Sequence, residues 1–155
     1  MSTVDNGVQI EQDIYRMLTK TFLLLDDCDR RFLADYGLST RQFWALQHLD
    51  RQQGCSMVDL SRVLFTDKSN VTSIVDRLEQ LKLVARTPDP RDRRVTLVML
   101  TPEGQHLRDK VNAQHQDLVL NLIHVMSNAS LHSLLGSLQT ISRNIEDYLA
   151  STNET

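Results

Sequence analysis

The sequence predicts a mainly α fold with a minor β component. Three observations carry that expectation. Apolar residues recur at steps of three and four through both ends of the chain, which marks long amphipathic helices. Near the middle, two shorter helical stretches are separated by the break "FTD". Directly after them, two β-rich runs, "LVART" and "VTLVMLT", bracket the charged turn "PDPRDRR".

The elements follow in order. Over residues 10–35, Ile10, Ile14, Met17, Leu18, Leu25, Cys28 and Phe32 form one helical stripe, and Gly37 in "YGL" suits the position just past its end. A second helix starts after Ser39. Ser39 and Gln42 have the spacing of a capping box, and Leu38 and Phe43 that of a hydrophobic staple. Trp44, Leu46 and Leu49 are expected to be its buried face, with Gly54 as its stop. Ser56 caps a third, short helix with Leu60, Val63 and Leu64 inward. Asp67 caps a fourth, whose apolar face is Val71, Ile74, Val75, Leu78 and Leu81.

Two helices joined by so few residues read as a helix-turn-helix. The hairpin behind them has Pro88 and Pro90 in its turn, which bar helix there, and it reads as a wing. Helix restarts at "TPEG", with Thr101 as N-cap, Pro102 at the first position and Glu103 near the positive helix end. This helix is expected to reach about residue 126, where "SNAS" interrupts it. A last helix carries Leu131, Leu134, Leu135, Leu138, Ile141, Ile145 and Leu149, with residues 151–155 frayed. The predicted fold is therefore a winged helix-turn-helix with long N- and C-terminal helices.

Composition bounds the function. The chain has 155 residues and ordinary globular composition. No apolar run approaches the ~18–20 residues needed to cross a bilayer. No secretory signal stands at the N-terminus, and two cysteines make no disulfide framework, so a reduced, cytoplasmic protein is expected. Net charge is −3, but it is unevenly spread. Residues 37–101 hold ten Lys and Arg against seven Asp and Glu, whereas the rest holds seven against thirteen. A basic centre between acidic arms is a weak footprint of an anionic partner. No nucleophile–base motif, phosphate loop or dinucleotide fingerprint is present, and no enzyme is expected.

The stretches "VTSIVDRLEQLKLVART" and "DPRDRRVTLVMLTPEG" resemble the MarR (multiple antibiotic resistance regulator) family of winged-helix transcription regulators. With the terminal helices included, the resemblance spans roughly residues 10–150. It implies a homodimer on a pseudo-palindromic DNA operator. Residues 10–36 and 102–150 would be the helical dimerisation region, and residues 37–101 the DNA-binding lobe. The terminal stripes point the same way, being too extensive to bury in one copy. The resemblance also implies release of DNA when a small molecule or oxidant is sensed.

Residue by residue, it places Asp67, Lys68, Ser69, Asn70, Thr72 and Ser73 at the exposed start of the recognition helix. Asn suits adenine edges, and Ser and Thr suit bases or phosphate. Arg77 lies one turn on, where the resemblance implies a phosphate contact. In the wing, Arg94 matches the family's minor-groove arginine and Asp92 the acid that orients it, with Arg91 and Arg93 on phosphate. Arg86, at the wing base, fits a structural role. Lys82 departs from the family, which has glycine there, and it implies a positive φ.

For each of the two cysteines a buried or incidental role is the commoner reading. Cys28 lies on an apolar face. Cys55 precedes a helix N-terminus, a position that lowers a thiol pKa. His106, His115 and His124 are nine residues apart, so neighbours face opposite sides of a helix and share no metal. No metal and no cofactor is expected. The resemblance implies a pocket for a small aromatic or anionic effector, whose lining would come from Met17, Phe22, Phe43, Trp44 and His48, with Arg16 or Lys20 for a carboxylate; such an aromatic stripe is more often core, and none of these is assigned as a ligand residue. Two function classes remain: a ligand-responsive DNA-binding regulator, in the repressor sense, or a winged-helix protein acting only through protein–protein contacts. Three arginines at the wing tip favour the first.

Overall fold

A computed structural model describes residues 3–152 of the chain. Its elements are α1 (Thr3–Ala34), α2 (Thr40–Gln47), β1 (Cys55–Ser56), α3 (Met57–Val63), α4 (Lys68–Gln80), β2 (Val84–Pro88), β3 (Thr96–Leu100), α5 (Pro102–Ile123) and α6 (Asn128–Thr152). They fall into two compact units, one up to Ala113 and one from Gln114 onward.

In the first unit, α2, α3, α4 and a three-stranded antiparallel sheet enclose the core. The strand order is β1-β3-β2, with Cys55 opposite Val98 and Val84 opposite Leu100. Phe43, Leu46, Leu60, Val71, Val75 and Val98 are at most 1% exposed. Full burial of one such side chain is worth about 1.5–3 kcal/mol, so this cluster dominates the stability of the lobe.

The caps form as the sequence predicts. The Ser39 side chain accepts the Gln42 N–H while Gln42 accepts the Ser39 N–H, and both staple residues, Leu38 and Phe43, are buried. Ser56 and Asp67 cap α3 and α4. Thr101 Oγ1 accepts the Gly104 N–H, and its hydroxyl donates to the Lys82 carbonyl at 2.7 Å. One side chain thus starts α5 and ties it to the end of α4. Gly104 makes that approach sterically feasible: a Cβ there would lie 1.9 Å from the Leu83 carbonyl oxygen.

Three helices end alike. Gly37, Phe65 and Lys82 have φ of 66°, 48° and 60°. In each case the next residue's N–H reaches back to a carbonyl five residues earlier, as in Leu38 to Leu33, Thr66 to Ser61 and Leu83 to Leu78. Glycine suits this left-handed position, and a side chain there costs on the order of 1 kcal/mol. Lys82 meets the expectation of a positive φ; Phe65 is a second such position, which the sequence reading did not single out.

Other boundaries differ from the sequence expectation. Helix α1 begins at Thr3, since extending a helix over residues without an apolar pattern is easier than nucleating it. Helix α2 stops at Gln47, well before Gly54. Its would-be continuation is drawn off by tertiary partners: Arg108 donates to the Leu49 carbonyl and the Leu100 N–H to that of Asp50. The Asp50 carboxylate then accepts the N–H groups of Gln52, Gln53 and Gly54, which fixes a turn. Helix α5 ends at Ile123 rather than near residue 126.

Inward and outward faces also need correction. Trp44 is 44% exposed, because it sits one residue (about 100°) off the Phe43–Leu46 line. Val63 is 39% exposed beside buried Leu60, and Leu81, the C-cap of α4, is 37% exposed.

In the second unit, the Ser127 side chain accepts the Ser130 N–H at the start of α6. This helix reaches Thr152, so residues 151 and 152 are helical, and 153–155 lie outside the described residues. Leu134, Leu135, Ile145 and Leu149 on α6 are all exposed, as are Ile10, Ile14 and Met17 on α1. Among the described residues no single helix is long and apolar enough to cross a membrane.

Candidate nucleic-acid interface

Helix α4 turns its Val71, Ile74, Val75 and Leu78 face into the core, which leaves Lys68, Ser69, Asn70, Thr72, Ser73 and Arg77 exposed. The exposed start is locally ordered. The Asp67 carboxylate accepts the Asn70 N–H at 2.9 Å and the Ser69 hydroxyl at 2.6 Å. These bonds, the hydroxyl first, hold the Asp67 carboxyl below the usual aspartate range despite the opposing effect of desolvation. Asn70 Nδ2 donates to Asp67 Oδ2 and to Thr66 Oγ1. Thr72 and Ser73 return their hydroxyls to the backbone carbonyls of Lys68 and Ser69, which leaves their oxygen lone pairs outward as acceptors. Arg77 reaches Gln80 Oε1 at 3.3 Å.

The wing is the β2–β3 hairpin. Two Asx-type contacts shape its tip: the Asp89 carboxylate accepts the Arg91 N–H and that of Asp92 accepts the Arg94 N–H. Arg94 is 93% exposed, with Nε 3.5 Å from Asp92 Oδ1, so the acid beside it steers the guanidinium without burying it. Arg91 and Arg93 are exposed and have no ion pair among the described residues. Arg91, Asp92, Arg93 and Arg94 therefore point charge at solvent, while Val98 and Leu100 of the same hairpin are buried.

Arg86 joins wing to helix. From β2 it reaches Asp76 and Glu79 on α4, each at 2.5 Å, and is 27% exposed. Burial opposes its charge, yet the two carboxylates outweigh burial and raise its pKa above the ordinary arginine value. It fixes the direction of the wing relative to the recognition helix.

Two residues missed by sequence reasoning belong to this surface. Arg41, on the first turn of α2, donates to Thr66 Oγ1 at 3.1 Å, so both lean on the start of α4. The signal was faint, since a lone arginine and threonine 25 positions apart show no spacing rule. Phe65, 81% exposed in its left-handed turn, flanks the same start. A cleft of about 510 Å³ also opens between the 52–54 turn and the wing, with Pro88, Arg91, Leu97 and Met99 on its walls.

The effector residues scatter. The Phe43 and Trp44 rings lie 5.8 Å apart, but Phe43 is fully buried. Arg16 and Lys20 line a shallow hollow on α1 with Tyr15, Leu23 and Leu24, and neither Met17 nor Phe22 contributes to it. Arg16 is paired with Asp13. On α2, Gln47 Nε2 is buried and has no hydrogen-bond partner among the described residues.

Cys55 lacks the lowered pKa that its place before a helix would favour. Burial, then the carboxylates of Asp59 and Asp50, push its thiol pKa up, which disfavours the reactive thiolate. Among the described residues no three His, Cys, Asp or Glu side chains gather as a metal site requires.

A helix-turn-helix backed by a basic-tipped hairpin defines a winged-helix, DNA-binding transcription regulator. The sequence profile of the MarR family matches residues 36–95. The multiple antibiotic resistance protein MarR of Salmonella typhimurium is 32% identical over 115 residues, covering 70% of this chain and 76% of its own. Among solved structures, AbsC, a MarR family transcriptional regulator of Streptomyces coelicolor, superposes with a TM-score of 0.81 at 26% identity, over 89% of this chain and 95% of its own. CouR of Rhodococcus jostii RHA1, solved bound to p-coumaroyl-CoA, gives 0.73 at 26% identity, over 84% and 92%. The chain belongs to the MarR family.

Proposed function

We propose that this protein is a homodimeric repressor working in the cytoplasm, bound to a pseudo-palindromic operator and released by a small aromatic or anionic effector. One observation carries the DNA reading. A single lobe presents an exposed polar helix start, Asp67 to Ser73 with Arg77, and an arginine wing tip, both mounted on a buried core and linked through Arg86. The helix start suits the major groove. Arg94, steered by Asp92, suits a narrow minor groove, whose negative potential favours arginine, and Arg91 and Arg93 suit phosphate. The exposed apolar stripes of α1 and α6 support a second copy as partner. Support for an effector comes from CouR and its ligand, and from half-exposed Trp44 beside the unsatisfied amide of Gln47.

Selection from random DNA should return an inverted repeat, with half-sites spaced about 34–36 Å as two recognition helices one helical turn apart require. Arg94→Ala should weaken binding most on A·T-rich flanks and reduce the slope of log affinity against log salt by about one unit. If the folded, dimeric variant bound DNA like wild type, the wing would be a solvated turn. The protein–protein reading would then lead.

A further inference from the structure

The start of α4 holds a more specific message than polarity. An asparagine amide offers two donor hydrogens and one acceptor oxygen. Both donors of Asn70 are engaged within the chain, at 3.0 Å to Asp67 Oδ2 and 3.1 Å to Thr66 Oγ1. Charge decides which way the amide faces. The Asp67 carboxylate only accepts hydrogen bonds while ionised, and its lowered pKa keeps it ionised at neutral pH. The amide nitrogen therefore faces it, and the carbonyl cannot. Thr66 is held from the other side by Arg41, which donates to the same oxygen at 3.1 Å. What remains on this exposed side chain is Oδ1, which has no hydrogen-bond partner among the described residues.

A two-point contact between asparagine and adenine needs one amide hydrogen for N7 and the carbonyl for the N6 amino group. With both hydrogens committed, only the second half is on offer. We infer that Asn70 reads the major groove as a lone acceptor for the exocyclic amino group of cytosine or adenine, with Arg41, Thr66 and Asp67 as positioning residues that keep the amide turned this way. Guanine offers N7 and O6, and thymine O4 and a methyl group, so neither gives Oδ1 a donor. The inference rests on the regulator reading above and sharpens it to one base position per half-site.

The test starts from the operator that the full-length wild type selects from random DNA. Each half-site position is changed to all four bases, and affinities are measured by fluorescence anisotropy. At the position where Asn70→Ala flattens the preference, the wild type should bind adenine and cytosine within about threefold of each other, and guanine and thymine about tenfold more weakly. Thr66→Val is nearly isosteric and frees one amide hydrogen, so adenine should become favoured over cytosine by about tenfold. Asp67→Asn keeps a capping side chain but sets an amide donor against Asn70, which turns the Asn70 carbonyl inward and its hydrogens outward, so this variant should lose the preference for cytosine in favour of bases that present acceptors, which covers the case of a misfolded first variant. A wild type that prefers adenine over cytosine tenfold at that position overturns the inference. So does a preference for guanine or thymine, or the absence of any Asn70-dependent position. A wild type that selects no sequence at all overturns the regulator reading and takes this inference with it.

Discussion

Helix α4 buries Val71, Ile74, Val75 and Leu78 among its 13 residues, whereas α6 has 25 residues and buries none. Both are amphipathic, and both would be drawn as helices from spacing alone. They differ in what lies opposite. The α4 stripe meets α2, α3 and the sheet within one lobe, so its burial is complete in a single chain. The α6 stripe, with Leu134, Leu135, Ile145 and Leu149 exposed, finds no such cover in one chain. Helices draw most of their stability from packing rather than propensity. The lobe is therefore expected to be stable by itself, and the terminal helices to depend on assembly.

The largest expected effect tests that dependence. In the proposed dimer, Ile145→Asp should abolish assembly, because a carboxylate placed in an apolar interface loses its hydration without gaining a partner. Sedimentation should fall from twice the chain mass to one. Thermal melting of the wild type should shift with protein concentration, and that of the variant should not. A variant that stays dimeric would place the interface elsewhere.

Next comes the core of the lobe. Phe43 is 1% exposed, and Phe43→Ala should cost about 3–5 kcal/mol through lost burial and the cavity left behind. Denaturant titration reads this directly. A cost near zero would mean the lobe does not depend on its own core.

A smaller effect concerns the turn that ends α2 early. Backbone N–H groups of Gln53, Gln52 and Gly54 hold the Asp50 carboxyl below the ordinary aspartate value. A carboxyl lowered in the folded state contributes its stability above the unfolded pKa, about 3.9, and loses it as pH falls through the lower folded value. Asp50→Asn should therefore flatten the loss of stability below about pH 4. Melting curves across acid pH check this, and parallel wild-type and variant curves would refute it.

The smallest effect belongs to Lys82. Its φ of 60° is left-handed, and Lys82→Gly should raise lobe stability by at most about 1 kcal/mol, since glycine's added freedom in the unfolded chain offsets part of the relief. A loss on substitution, seen in the same titration, would show that the Lys82 side chain contributes more than its strained backbone costs.

How much was legible follows from how local each cause is. The caps at Ser39, Ser56, Asp67 and Thr101 were readable because a capping side chain and its N–H partner lie within three residues. The exposed polar face of α4 followed from helical period, since Val71, Ile74, Val75 and Leu78 define their own reverse side. The early end of α2 was not readable, because its cause is a pair of distant donors, Arg108 and the Leu100 N–H. Trp44 was misassigned because an apolar residue marks a face only to within one position.

By itself the sequence determined the helix stripes, the caps and the hairpin with its arginine tip, all of which are set by neighbours along the chain; the positive φ at Lys82 was implied by the resemblance to a family with glycine there. Only the tertiary structure decided which stripes are covered and which stay open. It raised the pKa of the Cys55 thiol by burying it near Asp59 and Asp50. It also committed both amide hydrogens of Asn70, one to Asp67 and the other to an acceptor on Thr66 that Arg41 holds from another helix. Burial and long-range hydrogen bonds depend on which surfaces meet in space, and spacing along a single chain carries no record of that.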